Sequence, residues 1–174
     1  MRRLMLLRHA KTERPERGER DRDRKLTRRG QTDAPLIGAY MAHHGLVPDM
    51  ALVSPARRTQ ETWELVAAAF AKAPQHTNDD RIYNATVANL MALIGETRGT
   101  HVLLIIGHNP GLHDVAMQLI ASGSAEMRER LSESLPTSGL VVIDLPFDAW
   151  SHLHRQSGRL DRFVTPRLLA ASTD

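Results

Sequence analysis

The sequence predicts an α/β fold, a three-layer α/β/α sandwich around a mostly parallel central sheet. Three observations predict it. Short apolar runs alternate with segments of helical period along the whole chain. The longest of these runs, HVLLII at residues 101–106, is continuously apolar, as a strand covered on both faces should be. The length of 174 residues suits one domain over 1–174 with a substantial core.

Residues 3–8 form the first strand, ending in Arg-His. Residues 11–25 are charged, hold Pro15 and Gly18, and lack a hydrophobic period, so they form a loop. Thr27 caps a helix over 28–44 with Leu36, Ile37, Tyr40 and Met41 on one face, stopped by Gly45. A second strand, MALV at 50–53, leads into Ser54-Pro55. A helix over 56–72 turns Trp63, Val66, Ala67 and Phe70 inward, and 73–83 reads as a connection. Thr86 caps a third helix over 86–96. The strand at 101–106 is broken by Gly-His-Asn-Pro-Gly, and a helix follows over 112–121. Residues 126–135 form a short charged helix, 140–145 (LVVIDL) a strand, and 159–164 a last strand, expected at an edge.

With 41% hydrophobic and 25% charged residues, the composition is that of a globular domain. Cys is absent, which removes disulfides, a thiolate nucleophile and Cys-ligated zinc, and suits a reducing cytoplasm. No run approaches the ~20 apolar residues of a membrane span, and the apolar stretch near the N-terminus is too short for a signal peptide. The net charge is +3, with Lys only at positions 11, 25 and 72. A basic balance suits an anionic ligand, but basic and acidic residues are interleaved, so nucleic acid and membrane are not expected partners.

Ligands of open α/β sheets bind at the carboxyl ends of strands. Three such ends are rich in polar groups: Arg8-His9-Ala10-Lys11-Thr12, Ser54 to Thr62, and Gly107-His108-Asn109-Pro110. Together they supply two histidines and several arginines. That set suits phosphoryl transfer, whose transition state spreads negative charge over three oxygens. Arginine forks match such oxygens, and a neutral imidazole can attack phosphorus. Each residue also has a plainer reading. Arg8 and His9 could be solvated loop residues, His108 could satisfy backbone groups, and Thr12 could cap a turn. The joint occurrence at three strand ends favours a site.

These motifs resemble those of the histidine phosphatase superfamily, also called phosphoglycerate mutase-like. Leu7-Arg8-His9-Ala10 is similar to its Arg-His-Gly signature, Ser54 to Thr62 to its Ser-Pro-x-x-Arg-Ala-x-Gln-Thr segment, and Gly107-His108-Asn109 to its second-histidine turn. Pro136 to Gly139 and Arg162 to Pro166 also fit, and the chain looks closest to bacterial phosphohistidine phosphatases of the SixA type. The resemblance implies His9 as the phosphorylated nucleophile, Arg8 and Arg58 as phosphate clamps, and His108 as second catalytic histidine. Thr12 and Asn109 join the expected substrate contacts. Arg58 rather than Arg57 keeps the family offset from Ser54, so Arg57 should point away. Ala10 replaces Gly, Glu61 replaces Gln, and Asn84 lies where many members carry a proton-donating carboxylate. Asp79 and Asp80 are possible donors, with capping or solvating the connection as their other reading, and His108 or water are further sources.

The expected activity is hydrolysis of a phosphohistidine or phosphomonoester with no cofactor and no metal. The alternatives are mutase-like phosphotransfer, a non-catalytic phosphate-binding or protein-interaction module, and a metal on His9 and His108. Two histidines without a carboxylate or thiolate partner make a poor zinc set. The sequence does not fix the natural substrate or the oligomeric state.

Overall fold

The structure is a computed structural model that describes residues 1–172; the last two positions of the expected 1–174 domain lie outside the described residues. Seven strands form one sheet: β1 (Arg2–Arg8), β2 (Met50–Val53), β3 (Gln75–Asn78), β4 (Val102–Gly107), β5 (Ile120–Gly123), β6 (Leu140–Leu145) and β7 (Gly158–Val164). Their order is β3-β2-β4-β1-β6-β7-β5. Within it β6 runs against its neighbours β1 and β7, and the other neighbouring pairs are parallel. The helices are α1 (Arg28–His43), α2 (Arg57–Ala67), α3 (Val87–Gly95), α4 (Gly111–Leu119), α5 (Ala125–Glu133) and α6 (Pro166–Ala171).

Alternation along the central strands builds two cores. Leu4 and Leu6 of β1, with Leu103 and Ile105 of β4, pack with Leu90, Leu93 and Ile94 of α3 and with α4. Met5 and Leu7, with Leu104 and Ile106, pack with Ile37 and Met41 of α1 and Trp63 and Val66 of α2. Side chains one residue apart point to opposite faces, so a strand covered on both sides must be apolar throughout. The result is the three-layer α/β/α sandwich the sequence predicts.

Thr27 caps α1 by accepting from the Gly30 amide, and Thr86 caps α3 by accepting from the Asn89 amide. Several expectations need correction. The last strand is not at an edge: β7 lies between β6 and β5. The edges are β3 and β5, which sequence patterning misses; all four residues of β3 are exposed, so no hydrophobic period marks it. The second helix ends at Ala67 rather than 72, although Phe70 is buried as expected. Leu36 faces solvent while Ile37 and Met41 are buried.

β1 and β4 are neighbours, yet the helix after β1 packs on one face of the sheet and the helix after β4 on the other. The connections diverge and leave a crevice between the two strand ends, the usual place for a ligand in such sheets.

Candidate active site

Strand register brings the two histidines together. Arg8 pairs with Gly107 as the last rung between β1 and β4, so His9 and His108 are the next residues on neighbouring parallel strands. Their ring centroids lie 5.4 Å apart, about one strand spacing. On the other side of β4, Val53 pairs with Ile106, which brings Ser54 to the same edge. The His108 Nε2 and the Ser54 Oγ are 2.7 Å apart.

His9 is nearly buried, and its Nδ1 lies 2.8 Å from the Ala10 carbonyl oxygen. A carbonyl only accepts, so Nδ1 carries the proton and Nε2 keeps a free lone pair. Burial lowers the His9 pKa to about 4, helped by Arg58, Arg8 and Arg24 and opposed by the Ala10 hydrogen bond. Burial likewise lowers His108 to about 3, with Arg58 and His9 adding to the effect and Asp21 opposing it. Both rings are therefore neutral near pH 7. The sequence leads one to credit the arginines; removal from water is the larger cause.

The Ser54 Oγ accepts from the Ala56 amide at 3.4 Å and lies 2.7 Å from the His108 Nε2, so the hydroxyl can donate to that nitrogen or accept from it. When Ser54 donates, the imidazole proton resides on Nδ1, which is buried and has no protein partner.

Arg58 is 5% exposed, whereas Arg57 is exposed and pairs with Glu61 at 2.8 Å. The helix buries Arg58 and turns Arg57 to solvent. Arg58 donates to the Asp21 backbone oxygen at 2.8 Å and to its carboxylate at 3.1 Å. Arg8 donates to the Leu135 carbonyl at 3.1 Å. The Nε atoms of both arginines are buried without protein partners. Each arginine lowers the pKa of both histidines, so the four groups share one electrostatic neighbourhood. Asn109 donates to the same Leu135 carbonyl at 2.8 Å and keeps an unpaired buried Oδ1. The Thr12 hydroxyl accepts from Arg24 at 2.7 Å.

Asp21 is the member that sequence reasoning misses. Its carboxylate accepts from Tyr83 at 2.5 Å, Arg24 at 3.0 Å and Arg58 at 3.1 Å. The Tyr83 hydrogen bond, then Arg24 and Arg58, hold its pKa well below the carboxylate range. Tyr83 stands edge-on to His108 with centroids 5.5 Å apart. No spacing signal links Asp21 to Arg58, 37 residues away. Ser54, Thr62 and Ser138 fall inside the motifs read from sequence but without assigned roles. Thr62 accepts from the Ala10 amide, and the Ser138 amide donates to the Arg8 and His9 carbonyls from a left-handed φ of 58°.

The other acid candidates are engaged elsewhere. Asp79 caps and pairs with Arg81, at 2.7 Å for the side chains, which lowers its pKa. Asp80 is 90% exposed and lies 3.9 Å from Arg22. Asn84, at a φ of 54°, lines a depression of about 370 Å³ with His108, Asn109 and Asp114. Among the described residues no group of three His, Asp or Glu side chains is placed to hold a metal. No helix among them is long and apolar enough to cross a membrane.

Comparison with known proteins bears on this arrangement. Residues 4–82 match the family described as the histidine phosphatase superfamily (branch 1). The crystal structure of a candidate phosphohistidine phosphatase SixA from Agrobacterium tumefaciens is 30% identical, covers 95% of this chain and 98% of its own, and superposes with a TM-score of 0.79. The chain belongs to the histidine phosphatase superfamily. An uncharacterized protein of Mycobacterium leprae is 32% identical over 92% of this chain and all of its own length. A protein histidine phosphatase SixA complexed with tungstate shares the fold at 21% identity, with a TM-score of 0.71 over 96% of this chain and 99% of that one. As a SixA-like histidine phosphatase superfamily member, the protein falls in the class of phosphatases and phosphotransferases.

Proposed function

We propose that the protein is a cytoplasmic, metal-independent phosphatase, active as a single domain, that hydrolyses phosphohistidine or an activated phosphomonoester through a covalent phosphohistidine on His9. The observation that carries this reading is the His9 ring itself. It is buried and neutral, its Nδ1 proton is pinned to the Ala10 carbonyl, and it lies beside the Arg8 and Arg58 charges.

In the first step the His9 Nε2 attacks phosphorus, and the bond to the leaving nitrogen or oxygen breaks. The leaving group keeps the electron pair and takes a proton from solvent. In the second step water attacks the phosphohistidine, phosphate departs and His9 recovers its lone pair. Splitting one displacement into two lowers each barrier. The Arg8 and Arg58 guanidinium groups and the His108 ring, which surround His9, are the groups that stabilise the charge on the three equatorial oxygens. These fixed charges supply what a metal would otherwise provide.

The nearby carboxylate is the wrong kind for an acid, because Asp21 is held ionised by Tyr83, Arg24 and Arg58. A leaving group that needs little help with its proton fits best, which favours a phosphoramidate over an unactivated sugar phosphate. The tungstate found in a SixA of the same fold is a tetrahedral oxyanion of phosphate shape.

Rapid mixing with labelled substrate, alkaline quench and peptide mapping should place acid-labile phosphate on the peptide containing His9. His9→Ala should remove both the label and turnover. Full activity in that variant would end this reading.

A further inference from the structure

The sheet edge that carries the histidines also carries a second cavity. It measures about 540 Å³ and is walled by Arg29, Arg130, Arg167, Phe163, Glu133 and the turn at Pro136-Thr137. We infer that this cavity is a docking site for an acidic segment of a phosphoprotein substrate, lying beside the phosphorylated residue; the inference rests on the phosphatase reading above and names the substrate class.

The register measures the separation. Leu7 of β1 pairs with Leu140 of β6, and Leu140 pairs with Val164 of β7. His9 lies two residues beyond Leu7, and Thr165, in the cavity wall, one beyond Val164. Two strand spacings put the cavity roughly 10 Å from the His9 strand end. An extended chain covers that distance in about three to five residues.

The wall chemistry selects the occupant. Arg167 is exposed and has no ion pair among the described residues. Arg130 lies over the Phe163 ring at 5.3 Å, and its Nε is buried without a protein partner. Arg29 is 73% exposed and 3.4 Å from Asp33, a contact open to exchange with solvent or ligand. Glu133 is the one acid among these wall residues, so positive charge dominates. Guanidinium groups favour carboxylates, and the Pro136, Phe163 and Pro166 surfaces suit a polypeptide better than a bare ion. The turn between cavity and site also holds the machinery in place: Leu135 accepts from Arg8 and Asn109, and Ser138 binds the Arg8 and His9 carbonyls.

The test uses two phosphohistidine peptides of one sequence, with Glu or Gln at the third to fifth positions on both sides of the phosphorylated residue. Turnover is followed as kcat/KM, and binding of the unphosphorylated, labelled forms by fluorescence anisotropy. The wild type should prefer the Glu peptide by about threefold or more in both measurements. Arg167→Glu, on an exposed helix position, should erase the preference, and Arg130→Glu with Arg167→Glu should reverse it. Arg155→Glu, in an exposed turn before β7 at the opposite edge, controls for net charge and should leave it intact. Turnover of p-nitrophenyl phosphate should be unchanged in all these variants, which reports on folding and on the catalytic reading separately. Equal handling of the two peptides by the wild type, or an equal loss with Arg155→Glu, would overturn the docking site while leaving the phosphatase intact. Because anisotropy needs no catalysis, failure of the chemistry does not remove this readout.

Discussion

A single hydroxyl proton decides what His108 can do. With the Ser54 proton on Nε2, the ring presents N–H from Nδ1; with the other tautomer it would turn a lone pair toward an anion. Ser54→Ala should therefore free the tautomer and lower kcat by about fivefold, the worth of one hydrogen bond of roughly 1 kcal/mol. Nitrogen NMR of the two His108 ring positions checks it; an unchanged tautomer with unchanged kcat would remove the role from Ser54. At the neighbouring arginines the contrast should be sharper. Arg58→Ala leaves Asp21 without its buried partner and should cost about 2–5 kcal/mol of transition-state binding, whereas Arg57→Ala removes a rim pair with Glu61 and should cost under about 1 kcal/mol. Measured kcat/KM values that rank Arg57→Ala as the more damaging would refute this assignment. Arg58 is legible in sequence through its offset from Ser54. Asp21 is not, because a carboxylate in a charged loop looks solvated until the fold carries it onto an arginine from α2.

The elements that carry the site are those with the plainest sequence signals. Leu4 to Leu7 of β1 and Leu103 to Ile106 of β4 are apolar at every step because both faces are covered, and the polar residues that follow stand out against them. β3 and β5 lack that signal. Gln75–Asn78 is exposed throughout and becomes a strand only by pairing with β2, so tertiary context overrides its local pattern. The close approach of α1 and α2 is likewise invisible until the helices are packed. A Cβ on Gly38 would meet the Val66 carbonyl oxygen at 2.8 Å, too near for α2 to stay where it is. Gly38→Ala should cost about 1–3 kcal/mol in denaturant unfolding and, since α2 carries Arg58, should weaken phosphate binding as well. Wild-type stability in this variant would show that the helices can separate without strain.

For the molecule as a whole, the site has a cost that appears in acid. The unfolded chain protonates its histidines near 6.5, while folded His9 waits until about 4 and His108 until about 3. As pH falls through this window the unfolded state binds protons that the native state refuses, so stability is full above about 6.5 and declines below it. His9 alone accounts for roughly 3 kcal/mol, a large share of a domain's usual ~5–15 kcal/mol. Asp21 adds a loss of the same sign below the ordinary aspartate pKa, where its pairs are discharged. Urea midpoints from pH 7 to 4 should fall in the wild type and fall less in His9→Phe; parallel curves would mean that the ring is not the source.

The pairing of Arg8 with Gly107 also says which changes of chain length this protein can survive. One residue gained or lost within β1 or β4 would shift a histidine by ~3.3 Å and turn it to the opposite face of the sheet. The same change in the turn around Arg155, at the far edge, would move nothing that touches the phosphoryl group. Substitutions test the site one contact at a time, whereas single-residue insertions scanned along the chain would trace its foundations.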